Sequence, residues 1–236
     1  MLTWLSDYHH AFPPVSQANR QGIVAVGGDL HPDRLIRAYR EGIFPWYNDP
    51  GPILWHAPDP RFVLFPEELK VRKSMRSYFN QKKYSLSCDR YFTQVMAACG
   101  QVPRPGQEGT WINDDMLAAY STLNRRGIAH SVEVWEEDRL VGGLYGIALG
   151  GAFFGESMFH LRPNASKFGF IALVRMLRLH GFNLIDCQQR TKHLESLGGR
   201  SIARREFMRL LAEEVSREVP IDWSNLFVDE RWRQAV

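Results

Sequence analysis

Apolar positions recur with a helical period in four stretches of the chain. From Asp29 to Glu41, Leu35, Ile36 and Tyr39 share a face, Pro32 suits the first turn and Gly42 stops the run. A second helix is predicted over Asp114–Arg126, with Leu117, Tyr120 and Asn124 spaced along it and Gly127 after it. Phe170, Leu173, Val174 and Leu177 form the stripe of a third, Asn164–His180, which Asn164 or Ser166 would cap and Gly181 would end. A fourth opens at Ser201 as its cap and carries Phe207, Leu210, Leu211 and Val215.

Between these helices the period changes. His130–Trp135 alternates as a strand, and Leu140–Leu149 and Ala152–Phe159 are β-rich runs divided by Gly150-Gly151, which predicts a hairpin. Asn183–Gln188 reads as a short strand. Up to about Arg61 turn formers dominate, in Pro13-Pro14, Gly27-Gly28 and the 48–52 stretch, so residues 1–62 are expected to form a small, loop-rich N-terminal domain and 63–236 the main one. The order strand, hairpin, helix, strand, helix implies an α+β fold whose sheet is antiparallel in its middle. It suits the N-acyltransferase fold, in which a splayed sheet grips an acyl donor, although other α+β domains share that order.

With 44% hydrophobic and 23% charged residues the chain has ordinary globular usage. Its longest uncharged run, Leu140 to Gly155, is 16 residues with six glycines, short of the ~20 apolar residues that span a membrane. The start, MLTWLSDYHH, lacks a basic region and an apolar core, and Cys88, Cys99 and Cys187 are odd in number and widely spaced. A soluble, cytoplasmic protein is the expectation. Net charge is +3, but Lys70 to Arg90 alone carries +6, leaving −3 elsewhere. Arg72, Lys73, Arg76, Lys82 and Lys83 lie there among Tyr78, Phe79 and Tyr84, a composition that suits either a phosphate backbone or a solvated helix face.

The chain lacks a GxxxxGK[ST] loop, its GGxxG at Gly142–Gly146 lies inside a strand, and its histidines have no metal-ligand spacing on a helix. Two strands instead carry polar groups among apolar ones. In FFGESMF, alternation puts Glu156 on the face of Phe154 and Met158, where it would bind an ammonium beside an apolar pocket or pair with Arg162 or Lys167. In LIDCQ, alternation puts Asp186 and Gln188 on one face, either as a carboxylate and amide acting on an amine or as capping groups at a strand end. The same alternation turns Cys187 away, which counts against a thiol–imidazole pair with His193. Trp46 and Trp111 stand beside glycine or proline in predicted loops, positioned to stack on a base or to plug an interface.

GGDL, GIFPW, PDPR, GTWI, HSVEVW, LVGGLYG, GESMF, NASK, IDCQ and SLGG follow one another from Gly27 to Gly199. In that order they resemble the leucyl/phenylalanyl-tRNA–protein transferase family. The resemblance implies a small N-terminal domain and a larger acyl-CoA N-acyltransferase-like (GNAT-like) one. It implies transfer of leucine or phenylalanine, less readily methionine, from a charged tRNA to proteins with N-terminal Arg or Lys, marking them for degradation. On the same ground Asp186 and Gln188 face the acceptor amine, Glu156 holds a substrate amino group, and Leu144, Met158, Leu173 and Leu177 form the aminoacyl pocket. Trp46 and Trp111 would stack the tRNA 3′ end, and the Lys70–Arg90 cluster would meet the acceptor stem. An aminoacyl ester is already activated, so no cofactor or metal is implied, and NASK in place of a Gly-rich turn disfavours coenzyme A.

Overall fold

The computed structural model describes residues 2–47, 51–102 and 112–234. Two sheets organise them. The first holds β1 (Thr3–Leu5), β2 (Ile23–Gly27), β3 (Phe44–Pro45) and β4 (Leu54–His56) in the order β1-β2-β4-β3, with α1 (Pro32–Arg40) between β2 and β3. The turn-dense start therefore holds four short strands where the sequence suggested loops and one helix. Helix α1 is shorter than expected. It starts at Pro32 because His31 caps it, Nδ1 accepting from the Asp33 N–H, while Asp29 pairs with buried Arg34.

The second sheet has seven strands: β5 (Arg61–Leu64), β6 (Ser85–Cys88), β7 (Ala129–Glu136), β8 (Arg139–Leu149), β9 (Ala152–His160), β10 (Leu184–Asp186) and β11 (Arg200–Ile202). Their order is β11-β5-β10-β9-β8-β7-β6, antiparallel throughout except for β9 and β10. Helices α2 (Lys73–Asn80), α3 (Phe92–Gly100), α4 (Asp114–Arg125), α5 (Ala165–Leu179), α6 (Lys192–Glu195), α7 (Arg204–Val215) and α8 (Arg231–Gln234) complete the chain.

The parallel pair β9–β10 is joined through α5, whose side chains are buried on nearly every face. It lies close because β8 has no side chain at Gly142: a Cβ there would stand 2.7 Å from the Cβ of Ala165. Neither expected cap works as one. Asn164 takes a left-handed conformation with φ 64° and makes no capping bond, and Ser166 lies inside the helix. Ser201 likewise falls in β11. Helix α7 begins at Arg204 instead, whose N–H donates to Asp59 Oδ1 (3.0 Å) while its guanidinium reaches the Ala57 carbonyl (2.7 Å).

The connector between the two sheets, residues 57–60, is thus stapled to the start of α7. The two sheets also share apolar packing. Tyr39 of α1 is fully buried, its ring edge-on to Phe154 of β9 (5.1 Å) and its hydroxyl bonded to that of Tyr120 on α4. At the other end Trp232 of α8 stands edge-on to Phe168 (5.8 Å) and Phe79 (6.1 Å), and Arg175 of α5 donates to its carbonyl (2.8 Å). No helix among the described residues is long and apolar enough to cross a membrane.

Candidate active site

Strands β9 and β10 stay paired only from Leu184↔Ala152 to Asp186↔Phe154, after which β9 runs on to His160 and β10 stops. The wedge they leave opens into a cavity of about 640 Å³, lined by Glu156 and Met158 on one side and Cys187 and Gln188 on the other. The chain leaves the sheet through an Asx-type turn. Asp186 Oδ1 accepts the Gln188 N–H (2.9 Å), and Gln188 takes φ 55°.

Strand alternation therefore does not hold to the end of LIDCQ, and Asp186 and Gln188 do not share a strand face. Asp186 is fully buried and is not among the residues lining the cavity. Its two oxygens accept from Arg61 Nε (2.8 Å) and Nη2 (2.6 Å), and the Arg61 guanidinium lies between the rings of Phe44 (4.8 Å) and Phe207 (4.6 Å). Its contact with the cavity runs through Gln188. Cys187, which alternation turned away, lines the wall, and burial pushes its thiol far above the ordinary range. It stays protonated and is a poor nucleophile.

Glu156 pairs with neither Arg162 nor Lys167; Arg162 is held by Glu136 (3.0 Å). Its Oε1 accepts from Gln188 Nε2 (3.2 Å), and the hydroxyls of Tyr39 and Tyr120 bond it from behind. Burial lifts the carboxyl to about 8, helped by the nearby Asp186 charge and only partly offset by Arg61 and the two hydroxyls. At neutral pH it is mostly a neutral acid that becomes a carboxylate when a cation arrives. Tyr39 and Tyr120 were legible only as apolar helix positions; the polar tip that makes them site residues has no sequence signature.

The apolar part of the wall comes from Leu144 and Met158, directly opposed across β8 and β9, with Phe170 of α5. Leu173 and Leu177, further along α5, are buried outside that lining. Trp46 borders the cavity with 37% of its surface exposed, its carbonyl bonded to His56 Nε2 (3.0 Å). Trp111 lies outside the described residues.

Arg72, Lys73, Arg76, Lys82 and Lys83 are all exposed, on or beside α2, which Met75 and Phe79 anchor to the core. Two of the interleaved aromatics are not free to stack on bases: Phe79 and Tyr84 are buried against Phe168 (4.3 and 5.5 Å), while Tyr78 is half-buried. They tie the strip to the cavity instead. Tyr84 donates to the Pro163 carbonyl (3.2 Å), and the Tyr78 hydroxyl accepts from Asn164 Nδ2 (3.3 Å) at the cavity rim. Among the described residues one group of possible metal ligands, His10, His31 and Asp33, lies within 4.8 Å, away from the cavity and with Asp33 held by Arg126.

The family model for leucyl/phenylalanyl-tRNA protein transferase matches residues 63–212, and the model for the N-terminal domain of that transferase matches residues 28–59. The leucyl/phenylalanyl-tRNA–protein transferase of Pseudomonas entomophila (strain L48) is 53% identical over 225 residues, 94% of this chain and 99% of that protein. That of Myxococcus xanthus (strain DK1622) is 53% identical over 209 residues, 88% of this chain and 89% of that protein. Among solved structures, a GCN5-related N-acetyltransferase from Kribbella flavida superposes with a TM-score of 0.39 at 12% identity, over 72% of this chain and 60% of that one. L-PGS from Bacillus licheniformis gives 0.42 at 10% identity, over 68% and 65%.

Proposed function

The chain belongs to the leucyl/phenylalanyl-tRNA–protein transferase family, and from that premise we propose that it moves leucine or phenylalanine from a charged tRNA to the α-amino group of a protein. Methionine is a slower donor and proteins with N-terminal Arg or Lys are the acceptors, which the added residue marks for degradation in the cytoplasm. The observation that carries this reading is the Gln188–Glu156 pair at the mouth of the β9–β10 wedge, beside an apolar wall.

The acceptor nitrogen attacks the ester carbonyl carbon. A C–N bond forms, the C–O bond to the ribose breaks, and the departing ribose oxygen takes up a proton. An α-ammonium of pKa about 7.7–8.0 must first lose one. Glu156, at about 8, is matched to it, so a substrate ammonium resting against this carboxyl gives up its proton at little cost. Gln188 bridges Glu156 and the reacting atoms, with one amide hydrogen on the carboxyl and the other available to the tetrahedral oxyanion. Asp186 is a positioning residue: it fixes the Gln188 backbone and neutralises Arg61.

Leu144 and Met158 grip the aminoacyl side chain, with Leu173 and Leu177 backing that pocket from within α5. Trp46 and Trp111 stack the 3′ end, and Arg72, Lys73, Arg76, Lys82 and Lys83 meet the acceptor-stem phosphates without reading sequence. The test follows labelled leucine from leucyl-tRNA onto two peptides that differ only in an N-terminal Arg or Ala. Transfer to the Arg peptide alone is expected. Salt-sensitive tRNA binding with no transfer to either would leave a binder and overturn the catalytic roles.

A further inference from the structure

One wall of the cavity carries a group of bases that this chemistry does not use. Lys167 of α5, His160 at the end of β9 and His193 of α6 all line it. None of the three side chains has an ion pair or hydrogen bond within the described residues, and His193 Nε2 is buried with no partner. All three face the same cavity, and burial, then the charges of Lys167 and His160, hold His193 below its ordinary value. The nearby Arg162, by contrast, is held by Glu136 (3.0 Å). The one acidic side chain lining the same cavity, Glu156, is bonded to Gln188 and two tyrosines, so these three bases leave an anion's place open.

The position of the group says which anion. Asn164 stands beside it on the same wall and is joined through Tyr78 to α2 and its row of exposed cations. A polyanion lying along α2 therefore meets Lys167 as it turns into the cavity, before Glu156 and Gln188. Lys167 also lies in the first turn of α5, where no acidic side chain and no side-chain cap occupies the helix end.

Resting on the aminoacyl transfer reading, we propose that Lys167, His160 and His193 form a phosphate site that holds a phosphodiester of the donor's 3′ strand between the α2 surface and the reacting ester. Lys167 supplies the charge, and His193 Nε2, as the donor tautomer, supplies a hydrogen bond that the protein leaves unmade. The site sets how deep the 3′ end enters, so it acts on donor binding and not on the chemical step.

The test compares two donors, full-length leucyl-tRNA and leucyl-adenosine, which has no phosphate. With Lys167→Gln the KM for leucyl-tRNA should rise about tenfold and the salt slope of binding fall by about one, with kcat within twofold and the KM for leucyl-adenosine unchanged. Lys167→Arg should restore most of the affinity. An equal loss with leucyl-adenosine would make the residue structural or part of the aminoacyl contact. No change with either donor would remove the site. An effect that appears only with acceptor peptides carrying glutamate at their second position would assign the anion to the acceptor and overturn the proposal. Binding of the 5′-phosphorylated trinucleotide CCA to the full chain checks the site without turnover. If the wild type binds it, Lys167→Gln does not, and neither transfers leucine, the phosphate site stands and the transfer reading falls.

Discussion

The two ends of the cavity are built on opposite rules. At the β9–β10 wedge every charged group is committed: Asp186 to Arg61 and the Gln188 backbone, Glu156 to Gln188 and two tyrosines. At the rim, Lys167, His160 and His193 have no partner among the described residues, and the α2 cations stand in solvent. Inside, order is set by packing and exists before any substrate arrives; outside, a ligand must complete it. The committed end is thus suited to chemistry, where preorganisation lowers the barrier, and the open end to electrostatic capture.

The sharpest way to break this contrast is to remove one partner from the committed end. Arg61→Ala leaves the Asp186 charge buried and unpaired, so stability should fall by about 3–5 kcal/mol in urea titration. Replacing both members, Arg61→Met with Asp186→Leu, should return most of that stability but not activity, because the Gln188 N–H loses its acceptor. Full activity in the double variant would show that Asp186 positions nothing.

Gln188→Ala leaves the ion pair intact and should lower kcat about 10²-fold with tRNA affinity within twofold, measured by single-turnover transfer and filter binding. Equal losses in both would make Gln188 part of the scaffold. Glu156→Gln separates charge from shape. The unfolded carboxyl titrates near 4.5 and the folded one near 8, so the unfolded chain gives up its proton first and stability falls as pH rises between those values. The glutamine variant lacks that slope. It should match the wild type near pH 4.5 and exceed it by a margin that grows toward pH 8, where the rise from 4.5 to about 8, at about 1.4 kcal/mol per tenfold, sets a ceiling of about 5 kcal/mol before relaxation. Its acceptor kcat/KM should be lower throughout, keeping only the rise through pH 8 that the acceptor amine's own titration gives. A stability gap that does not grow with pH would contradict the raised carboxyl.

How much of this was legible in the sequence follows the same divide. The hairpin, α5 and the Lys70–Arg90 cluster show plainly, because alternation, a helical stripe and a charge run are local signals. The β9–β10 wedge does not. Alternation assumes a continuing strand, and the Asx turn at Asp186 ends it two residues early. The partners of Glu156 come from positions 39, 120 and 188, and no local pattern joins them. The strands of the first sheet are two to five residues long, too short for a period to register. Trp232 sits in a tail outside every motif, yet it closes the core over Phe79 and Phe168 and so steadies α2.

The open end offers a finer comparison within itself. Arg76 and Lys83 are both exposed and both belong to the basic strip, but Lys83 Nζ lies 3.4 Å from Glu136, which also holds Arg162, whereas Arg76 has no ion pair among the described residues. A cation that must leave a carboxylate to meet a phosphate gains less than one that is free. Arg76→Ala should therefore weaken tRNA binding several-fold and reduce the salt slope by about one, and Lys83→Ala should do roughly half as much, with kcat unchanged in both. Glu136→Gln reverses the handicap: with the carboxylate gone, binding should tighten slightly and the Lys83→Ala loss should grow to match that of Arg76→Ala. If Lys83→Ala costs the same with and without Glu136, the ion pair does not compete with the phosphate, and the strip acts as a diffuse field in which individual partners do not matter.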